Sequence, residues 1–464
     1  MALQSEILRL DEVAEGAGGR VVAGRPDVAV RGVSIDSRTI EPGQLFVAIR
    51  GPRFDGHAFL ADARAKGAAA ALVHQDVAAD GLPVVRVADT TEALKALGRH
   101  VRLLAGLPVV AITGSAGKTT TKEMTAALLG TAGPVLKTEG NLNNQYGLPL
   151  SLLRLRPEHR FAVMELGMSA AGELRELTAI ARPDVAVITM VAPVHLEFFP
   201  SVDAIADAKA EILEGLREGG VAILNRDDPR VRARGERHRG RVIWFGRDRR
   251  CEVSAESWRG TIHGMRFDMR LFGKTYDVAL PLAGPHFVSN FLAAAAAAHH
   301  LGVSGEAIVE AASRMAPAKS RGQVVTLGRR ITLLDDSYNS NPAAVDAAAT
   351  ALTMGAPGRR VAFLGDMLEL GPTGPELHRE TGAKLSGRMD VVVGVGALGR
   401  LIAEGAKKAG VAETHAFDDS EAAAQASPGL VREGDSVLVK GSRGARMEKV
   451  VEALRSAFPA EGGA

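Results

Sequence analysis

The chain has 464 residues, 46% hydrophobic and 24% charged, with a formal charge of +2; this is the balance of an ordinary soluble protein, at a length suggesting about three domains. That charge supplies no global field for nucleic acid or an acidic membrane, and the single cysteine, Cys251, excludes an intramolecular disulfide and argues against a zinc cluster. No run of about 18 apolar residues offers a membrane span, and the N-terminus carries acidic residues early without the apolar stretch of a signal peptide, so a cytoplasmic address is expected.

Residues 1–107 alternate short apolar runs with Gly/Pro turns, as in "VRGVSIDSRTIEPGQLFVAIRG". They read as a small α/β domain. Its last helix-like segment, Thr91 to Ala105, leads into a Gly-Leu-Pro linker. From Pro108 the strand-like runs "VVAIT", "FAVMEL", "DVAVITMV", "GVAILN" and "RVIWFG" recur, each followed by a turn and a helical stretch. Near-continuous apolar strands between helices predict a mostly parallel sheet covered on both faces. Between Glu252 and Leu282 the helices give way to alternating runs such as "RFDMRLF", which predict an appended antiparallel patch. "FLAAAAAAHHLG" reads as a buried Ala-rich helix. From about Ala318, "ITLLDD", "RVAFLGDM", "DVVVGVG" and "SVLVKGS" alternate with helical segments and predict a second parallel sheet. The expected architecture is therefore α/β in three domains, 1–107, 108–317 and 318–464. The arginine-rich "RDDPRVRARGERHRGR" lacks aromatic interleaving and contains acids, so it reads as a solvated face of the central domain rather than a nucleic-acid site.

"GSAGKT", Gly114 to Thr119, follows a strand and opens a helix. The usual phosphate loop has four residues between its glycines and this one has two, but the physics survives. Gly114, Ser115, Ala116 and Gly117 can turn backbone N–H groups onto phosphate oxygens, and the helix N-terminus adds partial positive charge. Lys118 would bridge the β- and γ-phosphates of ATP, and Thr119, with Thr120 beside it, would offer a hydroxyl to Mg²⁺. Such a metal needs hard oxygen ligands and tolerates an occasional imidazole. Glu165 and His195 each follow a strand at the edge that faces a ligand crevice in such sheets. Taken singly, the one reads as a surface carboxylate and the other as a loop histidine; together they are candidate metal ligands.

With these motifs the sequence resembles the Mur ligases of peptidoglycan synthesis. "TGSAGKTTTKEM", "TEGNLNNQYGLPLSLL", "MELG", "DDSYNSNP", "GDMLELG" and "VKGSR" carry the likeness, chiefly to the branch that adds D-alanyl-D-alanine, and "DSRTIEPGQLFVAIRGPRFDGHAF" resembles a UDP-binding domain of the family. The likeness runs in order through nearly the whole chain. It implies a small α/β UDP-binding domain, a central ATPase and a C-terminal Rossmann-like domain. It implies ATP and Mg²⁺, and as substrates UDP-N-acetylmuramoyl-tripeptide and D-alanyl-D-alanine, joined through an acyl phosphate by a cytoplasmic monomer.

Residue by residue, the resemblance makes Thr119, Glu165 and His195 the Mg²⁺ ligands, with Lys209 as a carbamylated lysine whose added CO₂ turns a cation into a metal-holding anion; from "AKAE" alone Lys209 reads as an exposed helix lysine. Asn141 and Asn144 would lie near the reacting carboxylate and phosphate. His286 and Asn290 would face the adenine, and Arg321 and Asp336 the nucleotide. Ser37, Arg38, Asp55 and His57 would belong to the UDP-substrate region, and Tyr338, Asn339, Asn341, Asp366, Lys440, Ser442 and Arg443 to the acceptor side of the cleft. Two departures stand out: Phe287 follows His286 where relatives show asparagine, and Met190 occupies another asparagine position. The rival readings are the sister ligase that adds the third amino acid and a nucleotide-gated binding protein without turnover. The first usually carries an Asn-Pro-Arg-like motif that this chain lacks, and the second has no need of a metal constellation beside a UDP domain.

Overall fold

Asp89 begins the helix Thr90–Ala105 by accepting the N–H groups of Thr91 and Glu92, and Gly106, left-handed at φ 64°, ends it. Local signals of this kind recur through residues 8–78, 80–194, 196–355 and 358–460, which the computed structural model describes. They fall into two packing units.

The first unit takes the described residues up to Thr113, with Ala132–Val187 and Glu211–Ala222. Its N-terminal part is a five-stranded sheet in the order Arg20–Ala23, Val84–Arg86, Ala70–Val73, Leu45–Val47, Val33–Ser34. The first pair is antiparallel and the rest are parallel. Phe46, Ala48, Ala71, Val73 and Val84 form its core with Ile40 and Ala63. Farther along the chain, Val109–Thr113 and Val135–Lys137 flank Phe161–Glu165 in parallel. All five residues of Val109–Thr113 and of Phe161–Glu165 are buried, as expected for strands covered on both faces.

The helix Thr90–Ala105 is a strut here, because two close contacts fix it. Gly98 lies so near Pro149 that a Cβ would stand 2.8 Å from the Pro149 Cα. Arg102, 1% exposed, donates through Nε to the Ala181 carbonyl at 2.9 Å. Its Nη2 reaches the Arg182 carbonyl at 3.1 Å and Asp184 at 2.9 Å. Lys95 adds ion pairs to Glu92 and Glu176. The Gly-Leu-Pro segment is thus anchored from its N-terminal side.

The second unit holds Gly114–Thr131, Ile188–Ala210 and the described residues from Ile223 onward. The antiparallel patch is present: Val253–Thr261, Gly264–Leu271 and Lys274–Leu280 pair antiparallel in succession, and Val253–Thr261 joins Arg241–Gly246 in parallel. The Ala-rich helix Pro285–His300 is buried from Phe291 to Ala298. Its small side chains let it lie close along the helix Lys118–Leu129. In the arginine-rich segment, Arg234 pairs with Asp203 at 3.2 Å and Asp207 at 2.9 Å, and Arg226 with Asp248 at 3.3 Å.

The last sheet has six strands in the order Gln323–Thr326, Thr332–Asp336, Ser436–Lys440, Arg360–Gly365, Val391–Val395, Glu413–Phe417. Only the first pairing is antiparallel. Successive residues point to opposite faces: Leu334, Ala362, Leu364, Val392 and Leu438 enter one core, and Leu333, Val361, Phe363, Val393, Val437 and Val439 the other. This double burial is why the runs read as continuously apolar.

Candidate active site

The phosphate loop is built by backbone geometry. Gly114 adopts φ 152°, and a Cβ there would fall 1.8 Å from Thr189 Oγ1. Gly117 adopts φ 84°, and a Cβ there would fall 2.3 Å from Asn290 Oδ1. No other residue fits either position. Ser115 N–H donates to the Met190 carbonyl at 2.8 Å, Ser115 Oγ to the Ala192 carbonyl at 3.1 Å, and Thr189 Oγ1 to the Ala116 carbonyl at 2.6 Å. Met190 therefore serves through its main chain, which its side-chain departure leaves intact. Helix Lys118–Leu129 starts at once after Gly117 with no side-chain cap. Lys118 Nζ folds back to the Gly114 carbonyl at 2.7 Å. Thr119 and Thr120 occupy the first turn of that helix.

Lys209 lies in the helix Val202–Ala210 and is 2% exposed. Among the described residues its ammonium has no hydrogen-bond partner. Burial, and then the charge of Lys118, push its pKa well below the usual lysine value. The exposed-lysine reading of "AKAE" fails because tertiary packing covers this face. His195 lies outside the described residues.

His286 stands in the first turn of helix Pro285–His300. Its buried Nδ1 has no hydrogen-bond partner. Burial lowers its pKa to about 4, with Asp336 opposing and Lys440 assisting that shift. Phe287 stacks on His286 at 4.3 Å, and a Cβ on Gly322 would meet its ring at 2.7 Å. Phe287 is thus a packing residue against the start of the last domain. Asn290 lies against Gly117 of the phosphate loop.

At the end of the six-stranded sheet, Asp336 and Lys440 are register partners on neighbouring strands and form an ion pair. Lys440 Nζ also donates to the Asn339 carbonyl at 2.9 Å. Ser442 Oγ accepts the Leu368 N–H at 3.0 Å and donates to the Ser340 carbonyl at 3.3 Å. Asn341 caps helix Pro342–Thr353 through Ala344 N–H. Asp366 accepts the N–H groups of Leu398 and Gly399 at 2.9 and 2.6 Å, holding the start of helix Gly399–Lys408. Arg321 and Arg443 both approach the ring of Tyr338, at 4.1 and 5.8 Å.

In the first unit, Glu165 is a buried strand-end carboxylate. Asn143 Nδ2 donates to its Oε1 at 3.0 Å, and its own N–H donates to Thr138 Oγ1 at 3.0 Å. The sequence reading missed Asn143, Thr138 and Thr189. Asn143 and Thr138 carry a signal, the one between Asn141 and Asn144 and the other at the head of "TEGNLNNQYGLPLSLL"; Thr189 has only its place at the end of a strand run. Asn144 caps the following turn through the N–H groups of Tyr146 and Gly147 at 3.1 and 2.9 Å, while Asn141 lends its carbonyl to Asn143 N–H at 2.8 Å.

In the N-terminal sheet, Arg38 pairs with Asp36 at 2.7 Å and holds that carboxyl down at about pKa 2. The carbonyls of Ser37 and Arg38 both accept from Lys66, each at 2.9 Å. Asp55 accepts from His57 twice, from N–H at 3.0 Å and from Nδ1 at 2.6 Å. His57 Nε2 in turn accepts the His74 N–H at 3.2 Å. That fixes His57 as the Nδ1–H tautomer and makes the Asp55–His57 pair the brace of its loop.

The chain matches the family model of the Mur ligase middle domain over residues 112–298, the Mur ligase glutamate ligase domain over 320–443 and the Mur ligase family catalytic domain over 29–102. It is 40% identical over 435 residues to the UDP-N-acetylmuramoyl-tripeptide--D-alanyl-D-alanine ligase of Escherichia coli (strain K12), covering 92% of this chain and 94% of that one. A crystal structure of MurF from Acinetobacter baumannii superposes with a TM-score of 0.90 at 34% identity, over 98% of this chain and 100% of that one. The MurF ligase of Thermotoga maritima in complex with ADP superposes with a TM-score of 0.82 at 30% identity, over 92% and 97%.

Proposed function

The chain belongs to the Mur ligase family, and from that premise we propose that it is the ATP-dependent ligase that joins D-alanyl-D-alanine to UDP-N-acetylmuramoyl-tripeptide. The observation that carries this is the 40% identity to the Escherichia coli ligase of that name across 94% of its length. The sister ligase and the turnover-free binding protein are not favoured by it.

The reaction transfers the γ-phosphoryl group of ATP to the terminal carboxylate of the tripeptide. The dipeptide amine then attacks the acyl carbon, its proton leaves, the C–O bond to phosphate breaks, and amide and inorganic phosphate result. Such chemistry asks chiefly for positioning and positive charge around the phosphoryl group. Lys118, the loop N–H groups and the helix start supply these. Asn290 supports the loop at Gly117, and Arg321, Asp336 and His286 are assigned to the nucleotide side. Lys440, Ser442 and Arg443, with Asn339, are assigned to the acceptor. Ser37 and Arg38, whose carbonyls Lys66 holds, are assigned to the UDP precursor together with Asp55 and His57, and Asn141 and Asn144 to the neighbourhood of the reacting carboxylate.

Magnesium is the metal we assign to Thr119, Glu165 and His195, and to Lys209 once carbamylated. Among the described residues no three His, Cys, Asp or Glu side chains gather as a metal group. An ion held largely through nucleotide phosphates needs few protein ligands, mostly hard oxygens with an occasional imidazole. Thr119 and Glu165 are such donors, and Asn143 orients the Glu165 carboxylate. When bound, the metal neutralises phosphate charge. No described helix is long and apolar enough to cross a membrane; a cytoplasmic monomer is the setting we assign.

Purified protein given UDP-tripeptide, ATP, Mg²⁺ and D-alanyl-D-alanine is expected to release phosphate and yield a product heavier by the dipeptide, read by mass spectrometry. Activity with a single amino acid and none with the dipeptide would move the assignment to a sister enzyme.

The buried Lys209 supports a carbamate. Its lowered pKa leaves neutral amine to attack CO₂, forming a C–N bond and losing a proton. Activity is expected to fall severalfold in CO₂-depleted buffer and to return on adding bicarbonate. Indifference to CO₂ would rule the carbamate out.

A further inference from the structure

Two cations share one aromatic ring in the last domain. The Arg321 guanidinium carbon lies 4.1 Å from the centre of the Tyr338 ring and that of Arg443 lies 5.8 Å away. Arg443 has an acidic partner, Glu448, at 3.3 Å. The Arg321 guanidinium has no ion pair or hydrogen bond among the described residues, and neither does the Tyr338 hydroxyl. The main chain around Tyr338 is held on both sides. Tyr338 N–H donates to the carbonyl of Ser320, next to Arg321, at 3.2 Å, and Ser320 is held left-handed at φ 57°. Ser340 receives Ser442, next to Arg443, at 3.3 Å.

A guanidinium stacked on a ring uses its face and leaves its in-plane N–H donors open. Glu448 already offsets Arg443, whereas Arg321 has no such partner among the described residues, so an anion accepting at their shared edge would satisfy the guanidinium left over. We propose that Tyr338 is a positioning residue that holds Arg321 and Arg443 flat, so that their N–H edges together grip an oxyanion of a bound substrate. This deepens the ligase reading and rests on it for the identity of the ligands. The oxyanion is either a phosphoryl group of the nucleotide, which moves Arg443 from the acceptor side to the nucleotide side, or the carboxylate of the dipeptide, which moves Arg321 the other way; the role of Tyr338 lies in its ring alone, its hydroxyl being dispensable.

The test measures binding of ADP and of D-alanyl-D-alanine by calorimetry, without turnover, so that failure of the ligase reading in the product assay is seen separately. Full-length Tyr338→Leu is expected to weaken one of the two ligands about tenfold, and which one weakens identifies the oxyanion. Tyr338→Phe, which keeps the ring, is expected to bind within about twofold of the parent. In an Arg321→Gln/Arg443→Gln background, Tyr338→Leu should add no further loss, since its action passes through those arginines. Circular dichroism confirms that each variant is folded. Parent-like binding of both ligands by Tyr338→Leu overturns the proposal. So does a loss in Tyr338→Phe equal to that in Tyr338→Leu, which would make the hydroxyl a direct contact, and so does a full additional loss in the double-arginine background.

Discussion

Lys118→Ala is expected to slow dipeptide-dependent phosphate release by about a thousandfold or more while leaving the fold unchanged. The loop keeps its shape without this side chain, because Gly114 and Gly117 set the turn and the Ser115 and Thr189 bonds tie it down. What disappears is the cation that the helix start cannot replace: a helix N-terminus carries only about half an elementary charge. Lys118→Arg is expected to recover little, since a planar fork does not fit where a compact ammonium folds back on the Gly114 carbonyl at 2.7 Å. Steady-state phosphate release with product mass is the measurement. A Lys118→Ala enzyme running at the parental rate would remove the phosphate role from this loop and leave the family likeness as ancestry without shared chemistry.

Arg102→Ala is expected to destabilise the protein by about 3 kcal/mol, the largest stability effect of any single change considered. The side chain is 1% exposed and satisfies two main-chain carbonyls, Ala181 and Arg182, besides Asp184. Its loss strands those acceptors inside the packed unit. Asp184 is partly protected because it keeps Arg217 and the Val109 N–H, at 2.9 and 2.8 Å, which holds the expected cost below the upper end for a broken buried pair. Arg102→Lys should recover only part, one point charge replacing a fork that reaches three acceptors. Urea unfolding reads the difference. Arg266→Ala, which breaks an exposed pair with Asp277, is the control and should unfold like the parent. If both variants unfold alike, the strut helix is not held by Arg102.

The element types, the two kinds of sheet and the glycine turn between strand and helix at Gly114–Thr119 are legible in the sequence. Each rests on contiguous residues: alternation in "RFDMRL", continuous apolar runs for strands covered on both faces, and glycines at the two positions where no Cβ fits. The loop keeps its tight turn with two residues fewer because the backbone geometry at Gly114 and Gly117, not length, sets it. The family likeness added roles that no local pattern encodes. For Phe287 and Met190 the structure supplied the answer that pattern matching left open: one packs against Gly322, the other works through its carbonyl.

Sequence by itself determined where chain turns and helix starts must fall, since steric and hydrogen-bonding rules acting over a few neighbours decide those. Only tertiary structure decided what each charged group faces. Lys209, which reads locally as a solvated lysine, is buried by packing from distant segments. Lys440 finds Asp336 across 104 residues because two strands lie side by side in register, and Arg102 reaches Asp184 across 82. Burial and pairing are properties of sheet order and layer packing, and those arise from contacts between segments whose separation along the chain carries no local signal.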